Sequence, residues 1–352
     1  MGGMSVSLDL SRLQKAKPKE TQEEAPVRDL IIIGAGPAGL TAGLYAGRAQ
    51  LNPLVLVGQS LGGQAATTSE MENYPGFPEG IGGMALAQQM ADQATRFGAE
   101  IRYEEVTGVD LAQDPFAIET YGPTYKAKSI IICTGTSPRK LGVPGEARFI
   151  GHGVSFCATC DGFFYKDKSV IVIGGGDSAV DESLFLTRFA EKVTIIHRRD
   201  RLRAGAILEQ RARDNPKIHF VWNTVVEEIL GENAVRGVLA RNVKTDETTT
   251  LEADGVFIYV GLIPNTWLFK GQLELSDEGY IVTDKRQRTS VPGVYAAGDV
   301  QDPWFRQTVV AAGAGAAAAI EAARYLSEKA YEEEEAAAEA EQPEQPAAEP
   351  RG

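Results

Sequence analysis

Cysteine is scarce in this chain of 352 residues: three occur, alongside three histidines and three tryptophans. Three thiols are too few for the disulfide framework of a small secreted domain, so any paired cysteines are expected to be catalytic or metal-binding. Long apolar runs are missing as well. No stretch approaches the roughly 18 consecutive apolar residues of a membrane span. The opening MGGMSVSLDLSRLQKAKPKETQEEAP lacks the basic-then-apolar layout of an export signal. A cytoplasmic protein without a membrane partner is expected. Nor is there an excess of positive charge. The net charge is −13, which argues against a general nucleic-acid binder. Nine Glu between Glu328 and Gly352, against Lys329 and Arg351, account for −7 of it, leaving an ordinary −6 for the remainder. What the chain does have is length enough for two domains and 43% apolar residues, sufficient for globular cores.

Both ends are poor in aromatics and rich in Pro, Glu, Gln and Ala, so residues 1–26 and the acidic tail 328–352 are expected to be disordered. The acidic run can extend the preceding helix for a few turns before Pro343.

Between the ends one pattern occurs twice. DLIIIGAGPAGLTAGLYAGRAQLNPLVLVG reads as a strand at Leu30–Ile33, a turn with Gly34, Gly36 and Gly39, a helix, and a second strand at Leu54–Val57. SVIVIGGGDSAVDESLFLTRFAEKVTIIHRR repeats it with Gly174, Gly176 and Ala179, and a second strand at Val193–His197. One glycine makes the turn, one lets the backbone approach a pyrophosphate, and a small residue packs helix on strand. The helix start then offers free N–H groups to phosphates. Two such fingerprints predict two dinucleotide sites.

The end of each second strand separates their ligands. An NAD-type site carries an acidic residue there for the ribose hydroxyl, but the first fingerprint ends in Val57, Gly58 and Gln59. The second ends in His197, Arg198 and Arg199, with Arg203 close behind. Arginine forks onto phosphate oxygens, which suits the 2′-phosphate of NADPH; the bland alternative is a solvated basic loop. For the first site the C-terminal segment is informative. SVPGVYAAGDV places a short strand, Val294–Ala296, before Gly298 and Asp299, and FRQTVVAAGAGAAAAIEAARYL follows as a small-residue helix. A carboxylate at a strand end fits a polyol hydroxyl, and a helix start fits an electron-rich ring edge. These are features of FAD sites.

The dithiol stands just ahead of the second fingerprint, in SFCATCDGFFYKDK. Cys157 and Cys160 are spaced to cycle between thiol and disulfide, and thiolates in such motifs are reactive. Zinc would need four ligands at suitable spacing, where only these two cysteines and His152 offer themselves. Cys133 ends an apolar strand and reads as a small buried hydrophobe; His219 reads as structural.

From about Asp29 to Leu326 the chain resembles the bacterial low-molecular-weight thioredoxin reductases. The resemblance rests on GAGPAG, GGQAATTSEMENYPGFPEGIGG, CTGTSPRKLGVPGE, CATCDGFF, GGGDSA, HRRDRLRA, GVYAAGDV and FRQTVVAAG, in that family's order. It implies an α/β fold of two Rossmann-like, three-layer dinucleotide-binding domains. An FAD domain, 27–142 and 266–327, would hold within it an NADPH domain, 143–265, carrying the dithiol. Pro144, Gly145, Gly261 and Pro264 fall at those seams.

The resemblance also implies the site. FAD would be held by Gly34, Gly36, Pro37, Ala38, Gly39, Gly63, Gln64, Asn73, Thr134, Gly135, Gly298, Asp299, Arg306, Gln307 and Thr308. NADPH would be held by Gly174, Gly176, Asp177, Ser178, Ala179, His197, Arg198, Arg199 and Arg203, with no metal. Cys160 would face the flavin, Cys157 would attack the disulfide of thioredoxin or a thioredoxin-like protein, and Asp161 would shuttle a proton. Asp161 reads equally well as a helix N-cap, and both roles can hold together. A homodimer is implied, and a rotation of the NADPH domain that lets nicotinamide and dithiol reach the same ring in turn. A ferredoxin- or flavodoxin-type NADP reductase is the alternative, but it has no need of Cys157 and Cys160. A peroxiredoxin reductase usually carries an extra N-terminal redox domain, for which 26 residues are too few. A metal-binding or redox-sensing module remains the non-catalytic reading.

Overall fold

The structure, a computed structural model, describes residues 26–68 and 70–340. The expectations for residues 1–25, and for the acidic tail beyond Ala340, lie outside it.

The chain alternates strand and helix from the start. β1 (Arg28–Ile33), α1 (Pro37–Arg48), β2 (Leu54–Leu56), α2 (Gly83–Arg96) and β3 (Glu100–Arg102) are followed by a meander of β4 (Val106–Asp110), β5 (Phe116–Thr120) and β6 (Thr124–Ile132). A late strand, β17 (Val294–Ala296), completes this first sheet, ordered β3-β2-β1-β6-β5-β4 with β17 on β6. Its centre is parallel: Ile31 pairs with Leu54 on one side and Ile130 on the other, and Val294 pairs with Ile130. β6 is long enough to serve two neighbours on one edge, β5 along its first half and β17 along its second. Continuous apolar runs suit a parallel sheet covered on both faces. Side chains alternate between those faces. Leu30 and Ile32 join the core shared with α1, α2 and α7 (Thr308–Ala340), while Ile31 and Ile33 join the core on the opposite face with Phe116, Ile118 and Phe269.

The second sheet repeats the plan. β8 (Val154–Ser155), β9 (Ser169–Gly174), α5 (Asp177–Leu186), β10 (Lys192–His197), α6 (Ala206–Asp214), β11 (Ile218–Trp222) and β15 (Gly255–Tyr259) give a parallel order β11-β10-β9-β15-β8. α5 and α6 cover one face. The antiparallel meander β12 (Thr224–Gly231), β13 (Val235–Asn242) and β14 (Thr248–Glu252) contributes Val226, Ile229 and Val238 to the core on the other. Two short helices, α3 (Glu146–Phe149) and α4 (Ala158–Asp161), flank β8. The chain passes between the sheets through β7 (Thr136–Pro138) and returns through β16 (Leu262–Pro264), and these two pair antiparallel.

The acidic segment from 328 onward begins as helix: α7 runs on to Ala340, within the few turns before Pro343 that the sequence allowed. The helix is already packed where this segment begins, and Ala and Glu propagate an existing helix readily. Lys329 reaches Asp114 at 2.8 Å, and the Tyr331 hydroxyl reaches Glu335 at 2.8 Å. α7 is also the one helix among the described residues apolar and long enough to cross a membrane, and half of that stretch is buried. Its hydropathy comes from alanines such as Ala311, Ala318, Ala319 and Ala322, which pack in the core shared with α1.

Candidate active site

β1, β6 and β17 are parallel neighbours, and the loops beyond their carboxyl ends meet in one cleft. In an open α/β sheet, ligands bind where strand order reverses. After β1, Gly34 turns at φ +105° against Cys133, whose carbonyl a Cβ would overlap. Gly36 caps α1 and Pro37 opens it, where the missing N–H of proline is no loss. Gly39 lies so close to the Gly34 carbonyl that no side chain fits. Ala38 is covered in turn by Gly298 and by Gly315, where a Cβ would overlap the Ala38 carbonyl, so α7 crosses α1 at backbone contact.

The remaining first-cleft residues are tied in by hydrogen bonds. The Gly62 N–H donates to Ala35 at 2.8 Å, which brings Gly63 beside Gly36. Gln64 donates to the carbonyl of Thr136 and, at 3.1 Å, to its hydroxyl. Asn73 donates to Gln307, next to Thr308 at the start of α7, at 3.1 Å. The Thr134 hydroxyl donates to the Asn265 carbonyl at 2.8 Å, and Gly135 follows at φ +63°. Asp302 accepts the backbone N–H groups of Trp304, Phe305 and Arg306, which bends Arg306 to φ +49°. Burial, and secondarily Asp302, push the Asp299 carboxyl up to about 6. Gly135 has no neighbour within 4 Å on its Cβ side, and Gly36 only a carbonyl at 4.0 Å. Glycines that open onto a cleft beside a desolvated carboxylate fit a phosphate-bearing ligand with a polyol.

The second cleft, at the ends of β9, β10 and β15, is built alike but more openly. Gly174, at φ +156°, packs on Tyr259 and on Ala179, which is buried in α5. Gly176 caps α5 with nothing within 4 Å of where a side chain would be, and Ser178 is exposed on the first turn. Asp177 is engaged: its carboxylate accepts the Gly205 N–H at 2.7 Å and so holds the arginine loop. Arg203 anchors the same loop by donating its N–H to Gly175 at 2.6 Å. Arg198, Arg199 and Arg203 are exposed, with no carboxylate partner among the described residues; the neighbouring Asp200 is drawn away to Lys244 at 3.1 Å. His197 is buried, and its Nε2 has no hydrogen-bond partner. Burial first, then Arg203, lowers its pKa and keeps the ring neutral. Unpaired guanidinium groups around a glycine-capped helix start suit an anionic ligand.

Cys157 and Cys160 are joined as a disulfide with Cα atoms 5.3 Å apart. Cys157 is the N-cap of α4, and its sulfur accepts the Cys160 N–H at 3.2 Å and lies 3.3 Å from the Thr159 hydroxyl. Hydrogen bonds of this kind favour a thiolate once the disulfide is opened. Asp161 does not cap α4; it precedes the turn Gly162–Tyr165, and its side chain makes no cap bond there. Thr159 donates to the Thr67 carbonyl, across the seam between the two sheets. Two ion pairs cross beside it, Arg211–Glu72 at 3.0 Å and Arg188–Glu70 at 3.9 Å.

Of the residues set aside on sequence grounds, Cys133 is buried, and desolvation pushes its thiol well up. His219 lies within β11, and His152 sits in an exposed turn. Sequence reasoning passed over Glu182 and Tyr259, whose side chains meet under α4. A signal existed: Glu182 lies three residues after Ala179 and four before Leu186, on the buried side of α5.

The family model for pyridine nucleotide-disulphide oxidoreductases matches residues 28–315. A thioredoxin reductase of Mycolicibacterium smegmatis is 50% identical over 304 residues, 86% of this chain and 98% of that one. Among solved structures, a Lactococcus lactis thioredoxin reductase in its FR conformation superposes with a TM-score of 0.83 at 45% identity, covering 86% of this chain and 99% of that one. The Streptococcus pyogenes thioredoxin reductase has the same identity and coverage but a TM-score of 0.57. The chain belongs to the pyridine nucleotide-disulphide oxidoreductase family.

Proposed function

We propose that this protein is an NADPH-dependent flavoenzyme that reduces the disulfide of thioredoxin through Cys157 and Cys160. The observation that carries the reading is that disulfide, whose turn touches Thr67 of the first sheet's unit and Tyr259 of the second, in a chain half identical to thioredoxin reductases. FAD belongs to the first cleft and NADPH to the second, with the domains divided at 27–142 plus 266–327 and 143–265. The covered first cleft suits a resident cofactor, and the exposed arginines suit one that comes and goes. Thioredoxin or a thioredoxin-like protein is the protein substrate, in the cytoplasm. A homodimer is supported by the apolar groove of Leu44, Tyr45 and Val309 between α1 and α7.

Bound FAD would supply the relay of reducing equivalents from NADPH to the disulfide. The N–H groups of Gly36, Ala38 and Gly63 would hold its phosphates, with Pro37 fixing the start of α1, and Asp299 would hold its ribityl hydroxyls. Arg198, Arg199 and Arg203 would take the 2′-phosphate of NADPH. With the dithiol formed, the Cys157 thiolate attacks the partner disulfide; a Cys157–partner bond forms and the partner's second sulfur leaves as a thiolate. Asp161, uncommitted to any cap, gives that sulfur its proton. Cys160 then attacks Cys157, closing the internal disulfide and releasing the partner as a dithiol.

The dithiol must turn from the flavin toward a bulky partner. The paired strands β7 and β16 are the pivot we assign to that rotation. Supporting it, two solved relatives equal in identity and coverage superpose on this chain very differently. Contacts made by Thr159, Arg211 and Arg188 hold the orientation seen here. The reading is tested by following NADPH oxidation with a panel of oxidised thioredoxin-like proteins. At least one should be reduced with stoichiometric NADPH use. Turnover only with one-electron acceptors would favour the ferredoxin- or flavodoxin-type reductase instead.

A further inference from the structure

The mechanism leaves one half-buried acid without a task. Glu182 projects from α5 on the side that also presents Ala179, Ser183 and Leu186 to the core. Its Oε2 is shut off from solvent and has no hydrogen-bond partner. The Tyr259 hydroxyl and the backbone N–H groups of Ala158 and Thr159 face the carboxyl and draw its pKa back down against burial. Tyr259, at the end of β15, also accepts the Ala158 N–H at 2.9 Å. Those two N–H groups belong to the residues that immediately follow Cys157. An acid and a phenol thus meet beneath the turn whose cap is the attacking sulfur.

We propose that Glu182 is a positioning residue for the dithiol: with Tyr259 it holds the first turn of α4 and couples the charge of its own carboxyl to that of the Cys157 thiol. The inference rests on the thiol–disulfide reading above. A carboxylate in this place opposes a thiolate at the cap of the same turn, since like charges in a desolvated setting raise each other's pKa. A neutral carboxyl lets the sulfur ionise. Burial first, then Asp181, pushes the Glu182 carboxyl up to about 7, so both forms are populated at neutral pH. The other charged or titratable groups facing the pair are Asp161 from α4 and Tyr259 from β15. Asp181 is itself raised by burial and by Glu72, and lowered by Arg211 and Arg188.

The test reads the sulfur directly and needs no thioredoxin. In the FAD-loaded Cys160→Ser protein, Cys157 is alkylated with iodoacetamide across pH; Cys133 is buried and does not compete. The rate should rise in two steps, the lower one near neutrality. Adding Glu182→Gln should remove that step and lower the thiol pKa, speeding alkylation about tenfold around pH 8 for a shift of one unit. Adding Tyr259→Phe should keep the lower step but move it upward. If Glu182→Gln does not accumulate as a flavin-loaded protein, Glu182→Asp serves, with a displaced lower step expected. A single ionisation unaffected by Glu182→Gln, or by Glu182→Asp where that is the variant recovered, overturns the inference. Failure of wild-type protein to reduce any thioredoxin, with the two-step curve intact, would count against the proposed function alone.

Discussion

The two glycine turns follow the same sequence grammar, yet the structure finishes them differently. At the first, α7 presses backbone to backbone on α1 through Gly315 and Ala38, and Asp299 is desolvated. At the second, Gly176 opens to empty space, and three arginines point charge at solvent without partners among the described residues. The fingerprint therefore specifies how a phosphate is met, while the later strand and loop set how long the ligand stays. On the proposed assignment, one cleft is built for retention and the other for exchange.

The largest effect concerns what joins the clefts. Cys157→Ser should cut thioredoxin turnover by at least about 10³-fold, as loss of a covalent nucleophile does, because Cys133 is too buried to replace it. NADPH should still bleach the flavin, which stopped-flow absorbance would show. Appreciable residual turnover would mean that the sulfurs have other roles.

The comparison itself is sharpened by arginine removal. Hydrogen bonds to charged groups are worth roughly 1.5–3 kcal/mol each. Arg198→Ala with Arg203→Ala should lower kcat/KM for NADPH on the order of 10²-fold, near the low end because the site is exposed to salt. Use of NADH should stay within a few-fold. Equal losses for both donors in steady-state kinetics would assign these arginines to the fold or the pyrophosphate.

Matched glycine substitutions come next. Gly39→Ala inserts a methyl against the Gly34 carbonyl, whereas Gly176→Ala meets nothing within 4 Å. The first should cost about 1–3 kcal/mol of stability, as overpacking does, and should reduce bound flavin. The second should leave Tm and flavin content unchanged while raising KM for NADPH. If both variants lose flavin equally, the contrast between the clefts fails.

Asp299 gives a pH signature. Its folded pKa is raised to about 6 from an ordinary value of 3.8, so the folded chain without flavin holds that proton more tightly than the unfolded chain. Stability therefore falls as pH rises through that window and stays lower above it. Asp299→Asn should raise the Tm of the flavin-free protein at pH 8 by a few degrees and leave it unchanged near pH 3. The same change should weaken FAD retention. A flavin-free Tm difference independent of pH would contradict the assigned desolvation.

The smallest effect is expected at the seam. Arg211–Glu72 and Arg188–Glu70 are exposed pairs, each worth at most about 1 kcal/mol. Glu72→Gln should change turnover by no more than a few-fold and should blunt its dependence on ionic strength.

Much of this was legible in the sequence. Apolar runs bounded by glycine marked β1 and β9, and Val294–Ala296 was read with the bounds that the structure gives. The unpaired arginines and the Cys157–Cys160 pair were legible because their chemistry depends on local spacing. Burial was not. The place of Glu182 on the Ala179–Leu186 side of α5 was readable from spacing, but its isolation comes from α4 and β15 closing over it. Composition allowed the acidic run a few helical turns before Pro343, and how far the described part continues, to Ala340, follows from the packed helix ahead of it. The crossing of α7 on α1 depends on two glycines and alanines far apart in the chain, where only tertiary contact reveals the match.

The most direct measurement is an anaerobic NADPH titration of the purified yellow protein, counting reducing equivalents per flavin and free thiols at each point. The account predicts that wild-type protein takes up one equivalent for the flavin and a second that opens Cys157–Cys160, exposing two new thiols, while Cys157→Ser takes up only the first. A wild-type protein that stops at one equivalent with its disulfide closed would contradict the account.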